Sequence, residues 1–271
     1  MPELPEVETT RLSVAPYVEG KRVARVLVRN GDLRVPVPAE LQAELPGRVI
    51  DRVERRGKYL LFRCGNRTAL IHLGMSGYLG VVTAAVPPEK HDHLDVILED
   101  HRILRFNDPR RFGLVLWEPG DPLLHPLLAS IGPEPLENSF SGGHLFVRSR
   151  GRSVAVKQFI MDSRTVAGIG NIYASEALFR SRIAPFRPSG TLSEVEYDRL
   201  AKAIKETLAA AIADGGTTIR DFRVGEGTPG YFTVKLNVYD RAGAPCPSCG
   251  TPIEAARQHG RSTYYCSRCQ R

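Results

Sequence analysis

Two places in the sequence carry residue types whose spacing suits chemistry. The chain opens MPELPEVETT, and removal of Met1 alone leaves Pro2 at the head, with a secondary amine as its free nitrogen. Such an amine is either an ordinary result of a proline after the initiator or the reactive atom of an enzyme. Near the other end, CPSCGTPIEAARQHGRSTYYCSRC sets Cys246 and Cys249 apart from Cys266 and Cys269, with sixteen residues between the pairs. Each CxxC turns tightly enough to put two thiolates on one edge of a metal, and the insert can fold back as a hairpin that joins the pairs. Tetrahedral four-cysteine zinc follows. A pair of redox dithiols is the competing reading, and the Pro and Gly flanks favour the ribbon. A closed site has no open coordination position, so the ion is structural. It would hold rigid a loop, RQHGRS, that brings Arg257, His259 and Arg261 to or near its tip. Basic groups there suit a nucleic-acid groove; a solvated basic turn is the bland alternative.

The rest of the chain must position these groups. At 271 residues and 42% hydrophobic, the chain is long for one domain and comfortable for two. No apolar run reaches the roughly 18 residues of a membrane span, and the start has no basic-then-apolar leader, so an intracellular, cytoplasmic protein is expected. The net charge is +7 and the pI about 9.3, which suits a phosphate-bearing partner or simply a soluble basic surface. Cys64, alone in LLFRCGNRT, reads as a small buried hydrophobe.

LPEVETTRL reads as a short helix start, with Pro5 at the first helical position, Glu6 and Glu8 at the positive end of the dipole, and Pro16 forbidding a long continuation. From about residue 21 to 118 the pattern turns to strands: RVARVLVRN, KYLLFRC, TALIHLG, LDVILED and RILRFND, with turns at 65–66 and 99–101. An antiparallel sandwich or barrel is expected. Residues 119–135 read as a Pro- and Gly-rich linker. Helices follow. SEVEYDRLAKAIKETLAAAIADGG has a capping box in Ser193 and Glu196, one apolar face in Leu200, Ile204, Leu208 and Ile212, and a stop at Gly215. GNIYASEALFRSRIAP is a second helix, stopped by Pro185. The fold class is therefore α+β: a helix and β domain over 1–118, the linker, a helical domain over 136–236 and the cysteine module over 237–271.

Six stretches, PELPEVE, GKYLL around Lys58, HLGMSG (72–77), DPRRFG (108–113), GIGNIYASEALF (168–179) and the terminal cysteine hairpin, together resemble bacterial formamidopyrimidine-DNA glycosylase, a base-excision enzyme for oxidised purines. The resemblance runs the whole chain in order. It implies an N-terminal β-sandwich, a helix-two-turn-helix domain, one structural zinc, a monomer, and double-stranded DNA in the bacterial nucleoid as partner. The sister family, endonuclease VIII, prefers oxidised pyrimidines; PELPEVE, HLGMSG and DPRRFG look like the purine branch.

The resemblance makes Pro2 the nucleophile that excises 8-oxoguanine or a formamidopyrimidine through a Schiff base and then cuts the strand by β,δ-elimination. An α-amino group titrates near ~8, so a useful neutral fraction exists at pH 7. Glu3 becomes the general acid and Glu6 a neighbour that orients the site. Lys58 acts in the site and on the adjacent phosphate, and Arg261 grips flanking phosphates and assists δ-elimination. Met75, Arg110 and Phe112 fill the gap left by the flipped base, while His91, Arg152 and Asn171, with Lys157 less closely matched, contact DNA. His91 and His93 have no carboxylate partner of clear geometry and are assigned no metal. Residues 216–232 correspond to a loop that closes over the flipped base. Each of these residues, taken alone, reads as an ordinary surface or core position. A non-catalytic zinc-ribbon DNA-binding protein is the rival, and the Pro2–Glu3 pair with Lys58 argues against it.

Overall fold

The computed structural model describes residues 1–215 and 236–271. The expected lesion-covering loop, 216–232, lies outside the described residues. Two compact units emerge, Met1–Ala129 and Ser130–Asp214 with the described residues from 236 on.

The first unit begins with α1 (Leu4–Val18), followed by β1 (Lys21–Val28), α2 (Ala39–Glu44), β2 (Val49–Ile50), β3 (Arg52–Arg56), β4 (Tyr59–Cys64), β5 (Arg67–His72), β6 (Tyr78–Thr83), β7 (Asp92–Leu98), β8 (Arg102–Asn107) and β9 (Leu114–Pro119). Two antiparallel sheets form, β2-β1-β7-β8-β6 and β3-β4-β5-β9. Alternating residues from both sheets, among them Leu60, Phe62, Ile71, Leu104, Phe106 and Val115, bury one shared core, and α1 packs against strands of each sheet. The sandwich expected from the apolar runs is present, closed by turns at Gly65 and His101, both at positive φ. Cys64 is 1% exposed in this core, and burial pushes its thiol up to about 12. It is chemically quiet.

One local expectation fails at α1: Pro5 takes the second position because the helix starts at Leu4; Pro16 lies in the last turn, and the helix ends two residues beyond it at Val18. Proline at 16 removes the bond to the Leu12 carbonyl, but Leu12 is 49% exposed, so water can satisfy that oxygen. The five apolar runs do not cover β2, β3, β6 or β9. β3 is arginine-rich, and its charges point to partners: Arg55 Nε donates to Glu8 Oε2 at 2.9 Å, tying β3 to α1.

A 3₁₀ turn (Pro122–Leu124) and α3 (Pro126–Ala129) occupy the Pro-rich stretch. The second unit holds α4 (Gly142–Ser149), α5 (Val156–Met161), α6 (Asn171–Arg180), α7 (Glu194–Ala213), and the hairpin β10 (Glu254–Gln258) and β11 (Arg261–Tyr265). α6 ends at Arg180, five residues short of Pro185. Arg182 adopts φ +58, its N–H returns to Phe179 O at 3.0 Å, and the Ile183 N–H reaches Leu178 O at 3.0 Å. This is a left-handed cap that an arginine, not a glycine, supplies. α7 opens with the expected Ser193–Glu196 capping box and buries Leu200, Ile204 and Leu208.

Glu196 also faces Arg187, with Nη2 donating to Oε2 at 3.2 Å. Hydrogen bonding from Arg187 first, then the Ser193 N–H, holds the Glu196 carboxyl down at about 2 against the opposing effect of burial. A depressed carboxyl stabilises the fold above its ordinary 4.5 and loses that contribution as pH falls toward about 2. The pair is partly exposed and screened by solvent, so the effect is roughly 1 kcal/mol. Glu196→Gln should narrow the gap between melting temperatures at pH 5 and pH 3. An unchanged gap would exclude this pair as a source of acid sensitivity.

Candidate active site and nucleic-acid interface

In the first unit the chemistry-bearing residues gather at the head of α1. Pro2 is buried, Glu3 is 3% exposed and Glu6 is fully buried. The Glu6 carboxylate accepts the Glu3 N–H at 2.8 Å, and the Glu3 side chain takes the Glu6 N–H in return. This reciprocal box fixes both carboxylates beside the proline. Met1 keeps 37% of its surface, yet its amine is lowered from the usual α-amino value by burial. The Glu3 and Glu6 carboxylates oppose that shift, and the positive charges of Lys58 and Arg110 assist it. Four sequence-selected residues thus surround the start of the chain.

Lys58 is half-buried in the two-residue turn between β3 and β4, after Gly57 at φ +56. Next to it, Tyr59 pairs with His72, their rings 4.8 Å apart. Burial, then the charges of Lys58 and Arg34, press His72 down to about 4, so it is neutral. Its Nδ1 accepts the Gly74 N–H at 2.9 Å, which leaves the remaining hydrogen on Nε2.

Met75 and Phe112 stand 40% and 45% exposed on two turns, and the Arg110 guanidinium lies 5.1 Å from the Phe112 ring centroid. These turns touch backbone to backbone. Gly74 sits at φ +68, and a Cβ there would fall 2.5 Å from the Gly113 nitrogen and the Phe112 carbonyl carbon. His91 is half-buried, its carbonyl accepting the Asp108 N–H at 3.0 Å. His93 Nε2 lies 2.8 Å from the Asp108 carbonyl.

In the second unit Asn171 opens α6, as expected, and its Nδ2 donates to Ser262 O at 2.9 Å. Lys157 is 2% exposed, and its Nζ donates to Ser262 O at 3.1 Å and Thr263 Oγ1 at 2.7 Å. Its ammonium therefore braces the hairpin. Arg261 is the exposed first residue of β11, beside the tip at His259 and Gly260, both at positive φ. Lys157, Asn171 and Arg261 line one open concavity with Gln158, Asp162 and His259. A short contact joins Gln158 Nε2 to His259 Nδ1. Arg152 is exposed, its backbone held by Ser149 and Gly190. The positive end of the α6 dipole and the basic side chains make this face suited to anionic oxygens.

The four cysteines converge, with all Sγ atoms within 4.8 Å of one another. Cys246 and Cys269 are 3.9 Å apart, and Cys249 and Cys266 are 3.6 Å apart. A tetrahedron with Zn–S near 2.3 Å has S···S edges of about 3.8 Å. The donor set fits one structural zinc ion.

Residues 1–115 match the family description "Formamidopyrimidine-DNA glycosylase N-terminal domain", 131–223 its H2TH domain, and 243–271 a zinc finger found in FPG and IleRS. The formamidopyrimidine-DNA glycosylase of Geotalea uraniireducens is 57% identical over 270 residues, covering 100% of both chains, and that of Geobacter sulfurreducens is 56% identical with the same coverage. The chain belongs to the formamidopyrimidine-DNA glycosylase family. Among solved structures, the MutM (Fpg) protein of Thermus thermophilus superposes with a TM-score of 0.88 at 40% identity, over 99% of this chain and 98% of that one. The Lactococcus lactis enzyme in complex with abasic-site DNA gives 0.90 at 32% identity, over 99% of each. Among the described residues, no helix of this family member is long and apolar enough to cross a membrane.

Two of the buried carboxylates that the motifs do not announce hold elements of the site. Glu176 accepts the N–H groups of Asn237, Val238 and Tyr239 and the Asn237 side-chain amide, each at 2.9 Å, fastening the first residues of the cysteine module to α6. Its signal was an acid among the buried Tyr173, Ala174, Ala177 and Leu178. Asp108 is the other, flagged only by its place at the head of DPRRFG.

Proposed function

We propose that this chain excises oxidised purines from double-stranded DNA with the Pro2 nitrogen as nucleophile, acting on the chromosome in the cytoplasm. The observation that carries the reading is Pro2, buried at the head of α1 beside Glu3 and Glu6, with the charges of Lys58 and Arg110 acting on the terminal amine. With Met1 removed, the Pro2 amine occupies this setting, where desolvation favours the neutral, nucleophilic form. It attacks C1′, the C1′–N9 bond breaks, and the base leaves with its electron pair and a proton. Glu3 protonates the ring oxygen O4′, which opens the sugar and yields an iminium. A secondary amine gives an iminium with no N–H to lose, so the proton comes from C2′ instead. The electrons released expel the 3′ phosphate, and a second elimination expels the 5′ phosphate. Glu6 keeps Glu3 in place, and Lys58 supports the site and the neighbouring phosphate.

Met75, Arg110 and Phe112 enter the space the base vacates. Met and Phe wedge the stack, and Arg110 hydrogen-bonds the widowed cytosine. His91, Arg152, Asn171 and Arg261 contact the backbone, and Arg261 assists the second elimination. Complexes of the Lactococcus lactis enzyme with abasic-site and Fapy-dG DNA support the substrate class.

Borohydride reduction during reaction with a duplex carrying 8-oxoguanine opposite cytosine should leave a covalent adduct on Pro2, located by peptide mass spectrometry. Tight duplex binding without any adduct would leave only a DNA-binding role.

A further inference from the structure

We propose that Asp108 is the positioning residue that fixes Met75 relative to Arg110 and Phe112, so that the gap-filling wedge is assembled before DNA arrives. The inference rests on the reading above that these three side chains fill the gap.

Asp108 is fully buried, and its carboxylate serves both turns at once. Oδ2 accepts the Gly113 N–H at 2.7 Å. Oδ1 accepts the Arg110 N–H at 3.3 Å and, from a turn 32 residues away, the Ser76 hydroxyl at 3.3 Å. Met75 precedes Ser76, and Phe112 precedes Gly113. One side chain therefore holds a neighbour of each wedge residue. The Asp108 backbone is pinned as well: its N–H donates to His91 O, and its carbonyl accepts the Arg111 N–H at 3.2 Å and faces His93.

The chemistry requires a carboxylate. All three side-chain partners present hydrogens, and only a group with two oxygens and no hydrogen can face them all. An amide in either orientation opposes its NH₂ to a backbone N–H, at Gly113 or at Arg110. The turn also needs the help, because Arg111 is held at φ +56, a left-handed conformation unfavourable for arginine. A wedge displaced by an ångström loses far more rate than binding.

The test uses the full-length zinc-loaded protein, as wild type, Asp108→Asn and Ser76→Ala, on two substrates. One is a duplex with 8-oxoguanine opposite cytosine or adenine. The other is a single-stranded oligonucleotide with an abasic site, which has no stack to fill and needs only the Schiff-base chemistry. Asp108→Asn should slow single-turnover excision from the duplex by about tenfold or more and weaken discrimination between cytosine and adenine. Borohydride trapping on the single strand should stay within about twofold of wild type. Ser76→Ala, which removes only the link between turns, should slow duplex excision by about threefold. Equal losses on both substrates, or unchanged duplex excision in either folded variant, would overturn the proposal. If Asp108→Asn does not fold, Ser76→Ala decides alone. A wild-type protein that traps neither substrate refutes the functional reading, and this inference falls with it; trapping by the wild type with no selective loss in the variants refutes this inference only.

Discussion

A chain that keeps Met1, or whose Pro2 nitrogen is acylated, should bind damaged duplex normally and yet excise and cleave at least about 10³-fold more slowly, with no borohydride adduct. The expectation follows from what each nitrogen can do. In the unprocessed chain the Pro2 nitrogen is a tertiary amide, its lone pair delocalised into the carbonyl, and it cannot form an iminium. The Met1 amine is one residue out of place, and as a primary amine it gives an imine that can relax by losing its N–H proton. Everything else at the site would persist, because Glu3 and Glu6 are fixed by the capping box at the start of α1 and do not depend on the amine. The measurement is a matched pair: the protein behind a removable leader, assayed before and after cleavage exposes Pro2. Turnover that is equal before and after would mean that another nucleophile carries the reaction. A Pro2→Gly form with a free amine should fall between the two, since it restores a nucleophile in the right place but with a primary nitrogen.

What could be read from the sequence was what is written locally. Ser193 and Glu196 cap α7 from three residues apart, and Leu200, Ile204 and Leu208 share its buried face, so period and cap were visible in one window. The cysteine spacing was equally local, because each CxxC constrains its own turn. The early end of α6, before Pro185, was not legible: Arg182 breaks a backbone preference that two carbonyls at the end of α6 tolerate, as solvent tolerates Pro16 over the Leu12 carbonyl. Nothing within a few residues announces such tolerance. At the site, motifs supplied the identities of Lys58, Met75 and Arg110, while the groups that hold them lay beyond the reach of a local reading. His72 is set by the turn that follows it and by Tyr59 on the next strand. Asp108 reaches back to Ser76 past the three intervening strands β6, β7 and β8, and Glu176 reaches 61 residues ahead to Asn237. Buried carboxylates of this kind resemble surface acids in a sequence until their partners are known.

Loss of the zinc should separate hairpin order from sandwich order in this protein. β10 and β11 are five residues each, and a two-stranded hairpin of that size is marginal in water. Its apolar support is one small cluster, in which Phe179, Val238 and Ile253 pack with Cys246 and Cys266. A structural zinc contributes on the order of 10 kcal/mol to such a module, more than these contacts supply. Cys266 is fully buried, so Cys266→Ser places a weak ligand at a position without access to water. The variant should contain no zinc by elemental analysis, where the wild type holds one ion per chain. Duplex affinity at fixed salt should fall roughly 100-fold or more, because Arg261 and the Ser262 carbonyl that Asn171 and Lys157 hold are displaced together. The core shared by the two sheets is built from residues of the first unit alone, so its melting transition should survive chelation. Adding zinc back should restore binding to chelated wild type and not to Cys266→Ser. Zinc-free protein with wild-type affinity would mean that the hairpin is held by Lys157, Asn171 and the small cluster, and that the metal is dispensable to DNA contact.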